Sequence, residues 1–276
     1  MEQRPFFRLT AVLLALQPLH CITAQSLPAS LPLSAGVKPE AGTASLPFIS
    51  AQSPGEFLSA LAKFAKPDWS SKFRPPPPTA FTSRAQNALT LGSVFADGQL
   101  AAHAEDVQQS KNLSKDIVAL AKPLGVQTEL LDRSKSLAEY AERKDWPSLR
   151  LELEAAQTEL QNTLHKHEDD DLMTLVSLGA WMRSTEIVAA LVSERYTENA
   201  ASILRQPVLA RLLKERVSTL SEKIQSDATV VRIRARLDEL ERLLSGPTAP
   251  PPSPEEVRLL SETVSSVLWD ITAKRN

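Results

Sequence analysis

From position 83 onward the apolar residues return every three or four places, the spacing that gathers them on one face of an α-helix. Ala85, Ala88, Leu89, Gly92, Phe95, Ala96 and Leu100 mark the face of a long first helix. Leu113, Ile117, Leu120 and Ala121 mark a second, which Pro123 and Gly125 end. Leu130, Leu131, Leu137, Tyr140 and Ala141 continue the series. Lys144-Asp145-Trp146-Pro147 then reads as a turn, with Asp145 capping the coming helix and Pro147 in its first turn. That helix runs through Leu149, Leu153, Ala156, Leu160 and Leu164 and pairs with its predecessor as a hairpin.

Leu172 to Val192 is the most apolar stretch after the N-terminal segment and approaches membrane-span length. Arg183 and Glu186 lie inside it, and a charge at a bilayer centre costs about 2.5 to 3.5 kcal/mol on insertion scales, so the stretch predicts a core helix. Leu209, Leu213, Val217, Leu220 and Ile224 predict a further amphipathic helix. After a short Ser226-Asp227 connection, Val230, Ile233, Leu237, Leu240 and Leu244 predict its partner in a hairpin with a coiled-coil-like seam. A cap-proline-acid start, Ser253-Pro254-Glu255-Glu256, opens the last helix through Val257, Leu260, Val264, Val267 and Ile271.

Upstream the pattern is different. Phe57, Leu61 and Phe64 predict a peripheral helix from about Glu56 to Lys66, and Pro75 to Pro78 predict a stiff polyproline connector, together filling 54–78. Residues 25–53 are rich in Ser, Ala and Pro, which predicts a flexible linker. The first 24 residues have the form of a signal peptide: Arg4 and Arg8, a short apolar run from Leu9 to Leu16, and a small-residue cleavage pattern at Ile22-Thr23-Ala24. The expected fold class is therefore all-α, an antiparallel helical bundle of about eight or nine helices over 79–276, behind a signal peptide and a disordered tether. Asp-Trp turns between helices suggest solenoid repeats, but helix lengths and signatures do not recur at a period of about 30 to 45 residues.

Composition narrows the functional classes. A net charge of -2 offers no global basic field for nucleic acid or for an anionic membrane surface. The single cysteine, Cys21, falls inside the signal pattern, so cleavage after it removes disulfide, thiolate and cysteine-metal chemistry together. An exported protein without disulfides fits a bacterial periplasm better than a eukaryotic secretory route. No Gly-rich phosphate loop, G-x-S-x-G elbow, H-E-x-x-H pair or EF-hand loop is present, and no cofactor is expected.

Two constellations have residue types suited to chemistry. The run His165-Lys166-His167-Glu168-Asp169-Asp170-Asp171 offers imidazole and carboxylate ligands, and His165 with Glu168 and Asp169 has metal-ligand spacing on a helix. His165 and His167 point about 200° apart on a helix and cannot share an ion there. The competing reading is a boundary: imidazoles near the carbonyl end of one helix, acids opening the next.

The second constellation is polar. Asp97 and His103 sit in one apolar helix, Arg183 and Glu186 in the other, and both helices carry internal glycines, Gly92, Gly98 and Gly179. Each glycine costs about 1 kcal/mol relative to alanine in a helix interior, which close backbone packing would offset. The two helices are expected to cross at the bundle centre with Asp97 and Arg183 paired, as a ligand-binding site or as a structural lock. The leading functional expectation is an exported, non-enzymatic interaction or scaffold protein, with a protein partner or a second copy on its helical surfaces. The alternative is a metal- or ligand-binding bundle, possibly an enzyme, using either constellation.

Overall fold

A computed structural model describes residues 53–246 and 250–273. The expected signal peptide, and the linker up to residue 52, lie outside the described residues. Those described are helical throughout, with no strand among them. The helices are α1 (Pro54–Ala62), α2 (Arg84–His103), α3 (Val107–Ala121), α4 (Gln127–Glu142), α5 (Trp146–Lys166), α6 (Asp170–Glu194), α7 (Glu198–Ser202), α8 (Pro207–Ser218), α9 (Glu222–Gln225), α10 (Ala228–Leu244) and α11 (Pro254–Thr272). Short 3-10 turns occur at Trp69–Lys72 and Lys122–Leu124.

Three of the reversals use one device. Glu105, Lys144 and Glu168 adopt left-handed backbone (φ 56°, 55° and 60°), and each is followed by an aspartate. The aspartate N–H closes the preceding helix, Asp106 to the Ala101 carbonyl at 3.1 Å, Asp145 to Tyr140 at 2.9 Å and Asp169 to Leu164 at 2.9 Å. The same residue is then the N-cap of the next helix, where Asp106 accepts from the Gln109 N–H and Asp145 from the Ser148 N–H. The fourth reversal, between α3 and α4, uses Gly125 at φ 78°. The acidic run at 168–171 is thus a helix boundary in the structure.

Four successive reversals bring α6 back in the direction of α2, so the central pair is parallel, a departure from a purely antiparallel bundle. Arg84 pairs with Asp169 at the starts of both helices (2.9 Å), and Asp97 pairs with Arg183 farther along both. Between these points the backbones touch. A Cβ on Gly92 would lie 1.9 Å from the Val176 carbonyl oxygen, and one on Gly179 would lie 2.0 Å from that of Leu89. Both helices are buried on nearly every side, which is why their sequences show little amphipathic contrast. α6 is long and apolar enough to cross a membrane, but 83% of its apolar window is buried in the protein.

The C-terminal helices run antiparallel in sequence order. Lys214 of α8 meets Glu241 of α10 at 2.7 Å, the Gln206 N–H reaches the Leu244 carbonyl at 3.1 Å, and Arg232 of α10 faces Asp270 of α11 at 3.4 Å. The helix expected to run from Leu209 to Ile224 stops at Ser218. There the Gln225 side chain donates to the Ser218 and Leu220 carbonyls, and Asp171 of α6 accepts the Ser221 N–H. The helix closes locally, the Thr219 N–H reaching the Arg216 carbonyl, and the carboxylate that receives the chain beyond it comes from a distant helix.

The expectation of a peripheral N-terminal helix is overturned. Phe57, Leu58 and Leu61 of α1 are fully buried in the same core cluster as Leu89 and Phe95 of α2 and Val188 of α6. The helix stops at Ala62 rather than Lys66. Arg74, just before the proline run, reaches into the bundle.

Candidate functional site: a buried ion network

Past the glycine contact of α2 and α6, charged side chains join the two helices. Arg183 Nε donates to Asp97 Oδ1 at 2.6 Å, Nη1 to Glu186 Oε2 at 2.5 Å, and Nη2 to the Lys72 carbonyl at 2.7 Å. Arg74 donates to Asp97 Oδ2 from Nε (3.0 Å) and Nη2 (2.7 Å), and Nη2 also reaches Ser93 Oγ at 2.8 Å. Ser265 of α11 donates to Glu186 Oε1 at 2.7 Å. Only 4% of the Arg183 side chain and 8% of the Asp97 side chain are exposed.

Two guanidinium groups and two carboxylates balance, so no net charge is buried. Burial by itself would raise the Asp97 carboxyl, but Arg183 and Arg74 overcome it and hold the group below the ordinary carboxylate value. Burial likewise pulls Arg183 down, while Asp97 and Glu186 outweigh it and keep the cation firmly protonated. Asp116 on α3 moves the other way, raised by burial and by the nearby Asp97 charge. Both Asp97 oxygens and all three Arg183 nitrogens have internal partners. Its geometry is that of a lock.

His103 does not join this network. It closes α2, where its Nε2 lies 3.4 Å from Ser59 Oγ of α1, and its ring packs against Trp69 at 4.8 Å between centroids. Burial, then the positive charge of Arg150, push the imidazole down to about 4, against the pull of a hydrogen bond to the Gly55 backbone.

The His165 run does not assemble the ligand set its spacing suggests. His165 Nδ1 pairs with Asp170 Oδ1 at 2.6 Å, Asp169 pairs with Arg84, and Glu168 is the left-handed turn residue. Among the described residues no three histidine, cysteine or acidic side chains are grouped to hold a metal. A cleft of about 550 Å³ opens beside this turn, rimmed by Ser83, Asp169, Asp171, Lys223 and Asp227. Two of its carboxylates are engaged across the fold, Asp171 with the Ser221 N–H, and Asp227 with Ser83 Oγ (2.6 Å) and the first amides of α10.

Arg74, Ser93, Ser265 and the Lys72 carbonyl complete the network without any warning in the sequence. Arg74 stands in an irregular segment with no periodicity to assign it a face, and a backbone carbonyl carries no sequence signal. Fold and network together define the class, an all-α helical bundle with a neutral ion-pair lock between its central helices. Compared with known families, with characterised proteins and with solved structures, the chain matches none.

Proposed function

We propose that this protein is an exported, non-enzymatic interaction protein that presents its C-terminal helical layer to a protein partner. The observation that carries the reading is Trp269 on α11, whose surface is 72% exposed. Large aromatic side chains dominate binding energy where a partner buries them. Val231 of α10 is also exposed, and it lies at the same level of the hairpin because the adjacent residues, Arg232 and Asp270, face each other. Toward the start of the same helix Arg258 pairs with Glu255 and Glu262 on the surface. By contrast, Asp97 and Arg183, and most carboxylates of the acidic cleft, are committed to internal partners. Export is supported by the signal-like N-terminal pattern.

Photo-crosslinking tests the reading. A photoreactive residue in place of Ser266, one turn from Trp269, in the full chain expressed in cells, is expected to yield one discrete adduct with an identifiable protein. The same residue at Leu151 of α5, also exposed, should not. Identical adducts from both positions, or none from position 266, would defeat the proposal.

A further inference from the structure

The segment from Ser53 to Thr82 lies across α2 and α6 and is held by two separate polar anchors. One is the Asp97 network, to which it supplies Arg74 and the Lys72 carbonyl. The other is His103, enclosed by Ser59 and Gly55 of α1 and by the Trp69 ring. We propose that this segment is an acid-loosened strap: protonation of His103 weakens its hold on α2 and uncovers the Asp97–Arg183 pair.

The surroundings of the ring favour its neutral form on balance, because burial and the Arg150 charge outweigh the Gly55 hydrogen bond. α1 presents a hydroxyl and a backbone carbonyl, the 3-10 turn presents an indole, and α5 presents the Arg150 guanidinium. The carboxylates on these elements are turned to other work. Glu56 accepts from the Ser53 N–H, Glu154 accepts from Ser53 Oγ, and Asp68 accepts from Ser70 and Ser71. Glu194 of α6 is likewise engaged, with Lys72 of the strap. An imidazolium here has no counter-ion within its enclosure, while an imidazole released into water regains its ordinary proton affinity.

The direction follows from linkage. With the strap closed the ring titrates at about 4, and with it open at the ordinary 6.5, so between those values the open form binds more protons. Strap closure is at full strength above pH 6.5 and weakens as pH falls towards 4. The opening constant is expected to rise on the order of 100-fold between pH 7 and pH 4. Three buried apolar side chains of α1 still hold the strap, so the effect is a loosening seen in exchange rather than wholesale unfolding.

Hydrogen–deuterium exchange on the full chain, corrected for the intrinsic pH dependence of amide exchange, reads this directly. Amides of α1 from Phe57 onward are expected to lose protection on the order of 100-fold from pH 7 to pH 4 while those of α10 do not. His103→Gln, which cannot titrate, should abolish the acid loss in α1. Should that variant loosen the strap at neutral pH, Arg150→Gln supplies an independent arm: removing the cation raises the affinity of the enclosed ring for a proton, so the acid loss still begins near pH 6.5 but should be smaller and level off at higher pH. Equal loss in α1 and α10, an unchanged acid response in His103→Gln despite a protected strap at pH 7, or an undiminished acid loss in Arg150→Gln would overturn the proposal.

Discussion

Adding one methyl group at Gly92 puts the central contact of the fold to a quantitative test. The new carbon would stand 1.9 Å from the Val176 carbonyl oxygen and 2.8 Å from the Ala180 nitrogen, both backbone atoms that no rotamer change can move. A tolerable carbon–oxygen approach is about 3.3 Å, so α2 and α6 must part by about 1.4 Å at their crossing. A radial gap of even ~0.5 to 1 Å forfeits a quarter to a half of the dispersion energy of the atoms lining it. The same separation strains the 2.6 Å Asp97–Arg183 bond, which lies five residues on along α2. Overpacking typically costs about 1 to 3 kcal/mol, and rigid backbone on both sides puts this case at or above the top of that range. Alanine returns about 1 kcal/mol of helix propensity, leaving a net loss of about 2 kcal/mol or more. Gly179→Ala should behave alike, its Cβ falling 2.0 Å from the Leu89 oxygen. Gly98→Ala is the control, because its nearest obstacle is Leu153 Cδ2 at 2.9 Å, a side-chain methyl that can rotate aside. Urea titrations followed by far-ultraviolet circular dichroism would compare the three. If Gly92→Ala proved as stable as Gly98→Ala, the close backbone contact would be refuted.

Other consequences can be checked in the same assay. Asp97→Ala leaves Arg183 buried without its main partner and should cost about 3 to 5 kcal/mol, whereas Arg74→Ala, at the better-solvated edge of the network, should cost distinctly less. Lys144→Gly and Glu105→Gly relieve left-handed backbone that costs about 1 to 2 kcal/mol in other residues, and each should raise stability by up to about 1 kcal/mol after the entropy of glycine in the unfolded chain is subtracted. Should either variant destabilise the protein, the turn geometry is misassigned. Trp269→Ala should leave stability within about 0.5 kcal/mol while abolishing crosslinking from a neighbouring photoreactive position such as 266, and a large stability loss would mean that the indole is packed rather than exposed.

Much of the architecture is readable before any coordinates are seen, because local physics dictates it. The three- and four-residue recurrence from Ala85 to Ile271 makes helices of nearly every segment it marks. Asp145 and Ser253 act as caps, as their positions before Trp146-Pro147 and Pro254-Glu255-Glu256 require. Glycines inside two apolar helices announce a close crossing, since nothing local repays their flexibility, and the polar residues beside them fall on the same contact. The acidic run at 168–171 has two local readings, a ligand set or a helix boundary, and a positive φ at Glu168 with a closing bond from Asp169 selects the second.

What a linear pattern could not carry is how segments far apart meet. That α2 and α6 lie parallel follows from an even number of reversals between them, a count that depends on every turn forming. That α1 belongs to the core rather than the periphery depends on a groove made by α2 and α6, absent until both are folded. That the Ser221 N–H beyond the end of α8 finds an acceptor depends on Asp171, fifty positions earlier. And the lock itself needs Arg74 and a carbonyl at Lys72 delivered by an irregular segment whose course only the assembled bundle can set. Helical periodicity is a property of neighbours in the chain and is written there in full, whereas desolvated charge pairing is a property of neighbours in space and exists only once the chain has closed around it.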